Sequence, residues 1–195
     1  MNQLAQATYL GTLNAGVLLS QRAVIIGGTP LLEEFFQIIA AQPDGELAIC
    51  APFIDEAFAG TSSAWTRMSH AQIDLRIVTR RQRDASNAWS ALRIFPWRSL
   101  DIWRCRNLHA KVYSFVAPQC SVALVGSHNL TRRGLAVNIE SGVLFKALTP
   151  DSELRGTVSE CRERINKLVQ QGRIFVDTKR WPRPEELHPQ EDTRE

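Results

Sequence analysis

Four short apolar runs follow one another between Leu100 and Phe145: Leu100 to Arg106, His109 to Phe115, Val122 to Ser127 and Ile139 to Phe145. Each has the length of a strand, and no helical pattern separates them. Upstream the chain alternates. Ala23 to Ile26 reads as a strand closed by Gly27 and Gly28, and Thr29-Pro30 then supplies an N-cap and a proline at the first helical position. That helix runs to about Ala41, and Pro43-Asp44-Gly45 is a turn. Strands over Leu47 to Phe53 and Ile73 to Thr79 follow, with helices over 55–69 and 82–94. Alternating elements that lead into a run of strands imply an α/β fold, a mixed sheet flanked by helices on both faces.

The ends are read in the same way. Residues 3–20 are weakly amphipathic, so 1–22 is expected to be an N-terminal helical segment ahead of a single domain over 23–177. Thr149 to Glu153 is a second helix start, and Leu154, Val158, Cys161, Ile165 and Leu168 form a core-facing stripe. Gly172 ends that helix, and Arg173 to Val176 reads as a last strand. Pro182, Pro184, Pro189 and interspersed charges make 178–195 an expected mobile tail.

Chemistry concentrates in the run of strands. His109 and Lys111 are two apart, the spacing that shares a face of a strand. An imidazole beside a fixed cation suits phosphate chemistry. Gly126-Ser127-His128-Asn129 adds a hydroxyl and an amide, and Glu140 adds a carboxylate able to fix an imidazole tautomer. One His at a strand position is ordinarily structural; the ordered set is the signal. His128 is expected to face solvent or lie at the rim of the site, and Thr131 and Asn138 are read as turn and capping residues.

H-x-K, then G-S-x-N, then a downstream Glu resembles the HKD motif of the phospholipase D superfamily, over about residues 108 to 145. With no internal repeat, the chain is similar to the single-motif bacterial phospholipase D-like nucleases. The family pattern places an Asp five residues after the Lys, where this chain has Val116. The resemblance implies a phospholipase D-like fold and a homodimer, with one site made from both subunits. It implies catalytic roles for His109, Lys111, Ser127, Asn129 and Glu140, through a phosphohistidine and without a metal or other cofactor.

Charge points to the substrate. Between Arg76 and Arg133 there are ten Arg and one Lys against Asp84 and Asp101, although the whole chain carries only +3. Arg presents a planar fork suited to phosphate. Arg80, Arg81, Arg83, Arg104, Arg106, Arg132 and Arg133 are therefore candidate nucleic-acid contacts. Trp89, Trp97 and Trp103 lie in the same block; base stacking is one role for them, and core packing is expected for two of the three.

The expected activity is a metal-independent endonuclease acting on DNA, with single-stranded DNA or RNA as alternatives. A nucleic-acid-binding subunit of a larger assembly and a lipid-headgroup phosphodiesterase are the competing readings. The four cysteines show no metal-ligand spacing, and a reduced cytoplasmic setting is expected. No apolar run reaches about 18 residues, so no membrane span is expected.

Overall fold

The order of strands in the sheet decides where the chemistry-bearing residues meet. A computed structural model describes residues 12–13, 17–18, 22–26, 30–68, 71–138, 140–150 and 152–177. Its strands are β1 (Thr12–Leu13), β2 (Val17–Leu18), β3 (Arg22–Ile26), β4 (Asp44–Cys50), β5 (Gln72–Thr79), β6 (Ser99–Arg104), β7 (Val112–Val116), β8 (Ser121–Gly126), β9 (Ser141–Ala147) and β10 (Arg173–Asp177). Its α-helices are α1 (Pro30–Ala40), α2 (Ser63–Met68), α3 (Gln82–Leu92), α4 (Arg132–Ala136) and α5 (Leu154–Gln171). One mixed eight-stranded sheet runs β10-β6-β5-β4-β7-β8-β9-β3. The pairs β4–β5 and β5–β6 are parallel; the other neighbours are antiparallel.

Alternation along the strands builds two cores. Leu47, Ile49, Leu75, Ile77, Tyr113, Phe115, Val122 and Leu124 face α1, α2 and α3, where Phe35, Phe36 and Trp65 are fully buried. Burying an apolar side chain of this size contributes roughly 1.5–3 kcal/mol. Intervening residues Ala48, Cys50, Val78 and Ala123 face α5, meeting its Val158, Cys161 and Ile165. The small residues on that face let α5 lie close to the sheet. Helices thus cover both faces, as the alternating pattern implies.

Several boundaries differ from the sequence reading. Residues 12–13 and 17–18 pair as a short antiparallel ladder where a helix over 3–20 is expected. Thr12 and Val17 are β-branched, and Asn14 and Gly16, which lie between the two strands in sequence, are residue types that favour turns over helix interiors. The rest of 1–22 and the tail expected over 178–195 lie outside the described residues. The helix expected over 55–69 is split into a 3₁₀ turn at Glu56–Gly60 and α2. The break falls at Gly60-Thr61, where Ser62 Oγ caps the new helix by accepting from Ala64 N.

Candidate active site at the carboxyl end of the parallel strands

Register aligns one end of the sheet. Trp103, Val78, Cys50, Val112, Val125 and Val143 are successive partners across β6, β5, β4, β7, β8 and β9. Just beyond that row lie the carboxyl ends of β4, β5, β6 and β8 and the starts of β7 and β9. Loops at such an end carry function because a rigid sheet positions them.

The connection from β6 to β7 must cross the ends of β5 and β4 to reach its place in the sheet. It turns at Cys105, whose carbonyl accepts from Leu108 N at 3.0 Å, and buried Leu108 anchors it in the α5-side core. Arg80 Nε donates to Arg106 O at 3.2 Å, and Cys50 Sγ lies 3.6 Å from Ala110 O. Burial pushes the Cys50 thiol up to about 12, with Cys105 adding to it, so it stays protonated. His109 and Lys111 sit at the far end of this crossing segment. The strand begins at Val112, not at His109, so the two share a cleft rather than a strand face. Lys111 Nζ donates to His109 O at 2.9 Å, and Lys111 O accepts Gly126 N at 3.2 Å.

An open cleft of about 670 Å³ is lined by His109, Lys111, Val112, Val125, Ser127 and Val143, among others. His109 and Ser127 are exposed, while Lys111 and Asn129 are half-buried. Val125, 38% exposed, leaves an apolar patch beside these polar groups. Ser127 Oγ donates to Glu140 Oε2 and accepts from Ser141 N at 3.0 Å. Glu140 is buried, and its other oxygen accepts from Asn138 Nδ2 at 3.1 Å. The sequence reading pairs Glu140 with the His109 imidazole; in the structure its carboxylate lies against Ser127 and Asn138.

The loop after β8 is braced from below. Tyr113 Oη donates to His128 O at 3.0 Å, and burial holds that phenol well above its ordinary range. Ile54 bridges Leu130, Leu130 O accepts Asp55 N at 3.2 Å, and Asp55 Oδ2 accepts Arg132 N at 2.9 Å. Thr131 caps α4 by accepting from Gly134 N, matching its reading as a capping residue. His128 is not at the rim. Its side chain is fully buried, because Gly126 and Gly142 leave room for the ring between the ends of β8 and β9. A Cβ on Gly126 would stand 2.3 Å from Ser141 O. Burial lowers the imidazole pKa, and the charge of Glu140 opposes that shift.

All seven candidate arginines lie at this same end. Arg80 and Arg81 follow β5, and Arg83 is in the first turn of α3. Arg104 ends β6, Arg106 is on the crossing segment, and Arg132 and Arg133 open α4. Arg81, Arg83, Arg106, Arg132 and Arg133 are exposed. The Arg81 guanidinium lies 5.8 Å from the Phe53 ring centroid. Trp89 and Trp97 pack against the larger core and Trp103 against the smaller one. Asp55, Asp84 and His128 are the residues about the site that sequence reasoning missed. Only the position of His128 inside G-S-x-N was a signal.

Among the described residues no group of three or more His, Cys, Asp or Glu side chains is placed to hold a metal ion. Among them, too, no helix is long and apolar enough to cross a membrane.

No protein-family model and no curated protein matches the sequence. Solved structures do match. NucT from Helicobacter pylori is 15% identical, with a TM-score of 0.51 over 80% of this chain and 99% of that one. Phosphatidylserine synthase from Haemophilus influenzae is 16% identical, with a TM-score of 0.51 over 90% of this chain and 46% of that one. TrmBL2, described as an archaeal chromatin protein with a novel mode of DNA binding, is 10% identical, with a TM-score of 0.51 over 80% of this chain and 54% of that one. A mixed sheet between two helical layers gives this chain a phospholipase D-like fold, which it shares with NucT and phosphatidylserine synthase.

Proposed function

We propose that this chain is a phosphodiesterase that cleaves nucleic acid, DNA first, through a phosphohistidine at a site completed by a second copy of the chain. One observation carries the reading: His109, Lys111 and Ser127 line one open cleft, with buried Glu140 hydrogen-bonded behind Ser127, at the sheet end that also bears the arginines. In the first step His109 attacks phosphorus, a P–N bond forms and a P–O bond breaks. His109 of the second subunit gives its proton to the leaving oxygen. It then takes a proton from water, which attacks phosphorus and breaks the P–N bond. Lys111 and Asn129 hold the non-bridging oxygens, where charge accumulates. The exposed arginines grip the flanking backbone.

Val116 does not weigh against this. It pairs with Glu46 and Ser121, at the far end of β7 from the cleft, about 13 Å along the strand from Val112. The apolar patch at Val125 beside the cleft fits a second copy seated there. TrmBL2, of which 54% matches this chain, is described as binding DNA, which is compatible with nucleic acid as substrate.

The test is nicking of plasmid and single-stranded DNA in excess EDTA, with His109→Ala as control. Activity is expected to persist in EDTA and to fall by several orders of magnitude in the variant; acid catalysis alone is worth roughly 10²–10⁴-fold. Activity lost in EDTA and restored by Mg²⁺ would overturn the metal-independent mechanism. Release of a lipid headgroup with no nicking would move the substrate to phospholipids.

A further inference from the structure

The Ser127 hydroxyl has one proton, and the protein itself uses it. Oγ donates to Glu140 Oε2, and among the described residues its one other acceptor is Ser141 O at 3.4 Å. The same oxygen accepts from Ser141 N. In this state the hydroxyl has no proton to give to a phosphoryl oxygen. Turning it toward the cleft would strip Glu140 Oε2 of its donor. Glu140 is only 7% exposed, and a buried carboxylate oxygen without a partner is costly. Asn138 Nδ2 is already engaged with Oε1.

A spare donor lies against the strand that follows Glu140. The His128 imidazole is 0% exposed, and neither ring nitrogen has a hydrogen-bond partner among the described residues. The ring is confined by two backbones: a Cβ on Gly126 would come 3.0 Å from Nδ1, and one on Gly142 would come 3.3 Å from Cε1. The strand after Glu140 therefore walls the ring directly. A neutral imidazole carries one N–H, enough for one acceptor, and donating it changes no net charge.

We propose that His128 is a positioning residue which donates to Glu140 when Ser127 turns its hydroxyl to a phosphoryl oxygen in the cleft. The exchange conserves protons: Ser127 O–H moves from Glu140 to the ligand, and His128 N–H takes its place. The buried carboxylate is satisfied in both states, so the hydroxyl is free to follow the charge of the transition state. The idea rests on the cleft binding phosphoryl groups, as proposed above.

The experiment uses the full chain with ¹⁵N-labelled histidine, titrated with inorganic phosphate. In wild type a His128 ring N–H signal characteristic of a hydrogen bond is expected to emerge as phosphate saturates. In Ser127→Ala it is expected before any phosphate is added, because Glu140 has already lost its donor. His128 ring signals that are the same in all three states would overturn the proposal. If phosphate moves no ring signal of His109, which lines the cleft, the reading of the cleft fails, while the Ser127→Ala spectrum still decides the exchange. On nucleic acid, His128→Phe is expected to lower kcat about 10–100-fold with KM unchanged, the worth of one charge-assisted hydrogen bond. His128→Gln, which keeps an N–H, is expected to restore most of it. Equal kcat for His128→Phe and wild type would also overturn the proposal. Should His128→Phe not fold, the spectra decide.

Discussion

His109 is exposed and lines the cleft, and the charges that would hold a polyanion are carried by other exposed residues, Arg106, Arg132 and Arg133. That separation divides chemistry from grip. Replacing Arg132 and Arg133 with Ala is expected to weaken DNA binding and reduce the slope of log K against log salt by about one unit per lost contact. Turnover on saturating substrate should stay near wild type; filter binding across a salt series beside single-turnover rates checks both. His128 makes a separate prediction about stability. Burial lowers its folded pKa below the ordinary 6.5, so as pH falls the unfolded chain takes up the proton first. The folded state therefore loses stability as pH drops below about 6.5, and that loss ends once pH passes the lowered folded pKa. Urea melts of His128→Phe should lack this part of the acid sensitivity, while melts at pH 8 isolate the packing effect.

Among elements, the turn after β4 links α3 to the loop that carries Asn129. Asp84 Oδ1 accepts from Ile54 N at 3.1 Å, Asn87 Nδ2 donates to Ile54 O at 2.7 Å, and Ile54 and Asp55 in turn hold Leu130 and Arg132. Asp84 sits in the interior, and burial raises its carboxyl pKa. Asp84→Asn keeps the acceptor and removes the buried charge, so it is expected to melt near wild type. Asp84→Ala leaves Ile54 N unpaired and should cost about 1–3 kcal/mol, with faster amide exchange through 129–132. None of this strut was legible in the sequence, because it depends on which loops meet at the sheet end. The strands of the central run were legible, since apolar alternation is local. Their limits were not: His109 to Lys111 alternates like strand, but the chain there is still crossing β4, and its ladders begin at Val112. The burial of His128 escaped for a similar reason. It depends on Gly126 and Gly142 coming together across β8 and β9, which no spacing within G-S-x-N reports.

For the whole molecule, the consequence is symmetry. The described chain has one His109–Lys111 pair, and the proposed chemistry needs one histidine as nucleophile and another as acid. Both must reach the same phosphorus, which two copies related by a two-fold axis near the cleft satisfy. Light scattering is then expected to give the mass of two chains. The cleft's apolar border at Val112, Val125 and Val143 is where the second copy would seat. Mixed dimers probe the shared site most directly. One wild-type subunit is paired with one His109→Ala subunit, the heterodimer is isolated by differential tagging, and its composition is verified by mass. Nucleic-acid cleavage by this heterodimer is then measured. A site shared between subunits predicts at most a trapped or very slow phosphoenzyme, far below half of wild-type activity. Retention of about half would mean that each subunit cleaves alone, and would contradict the shared phosphohistidine site.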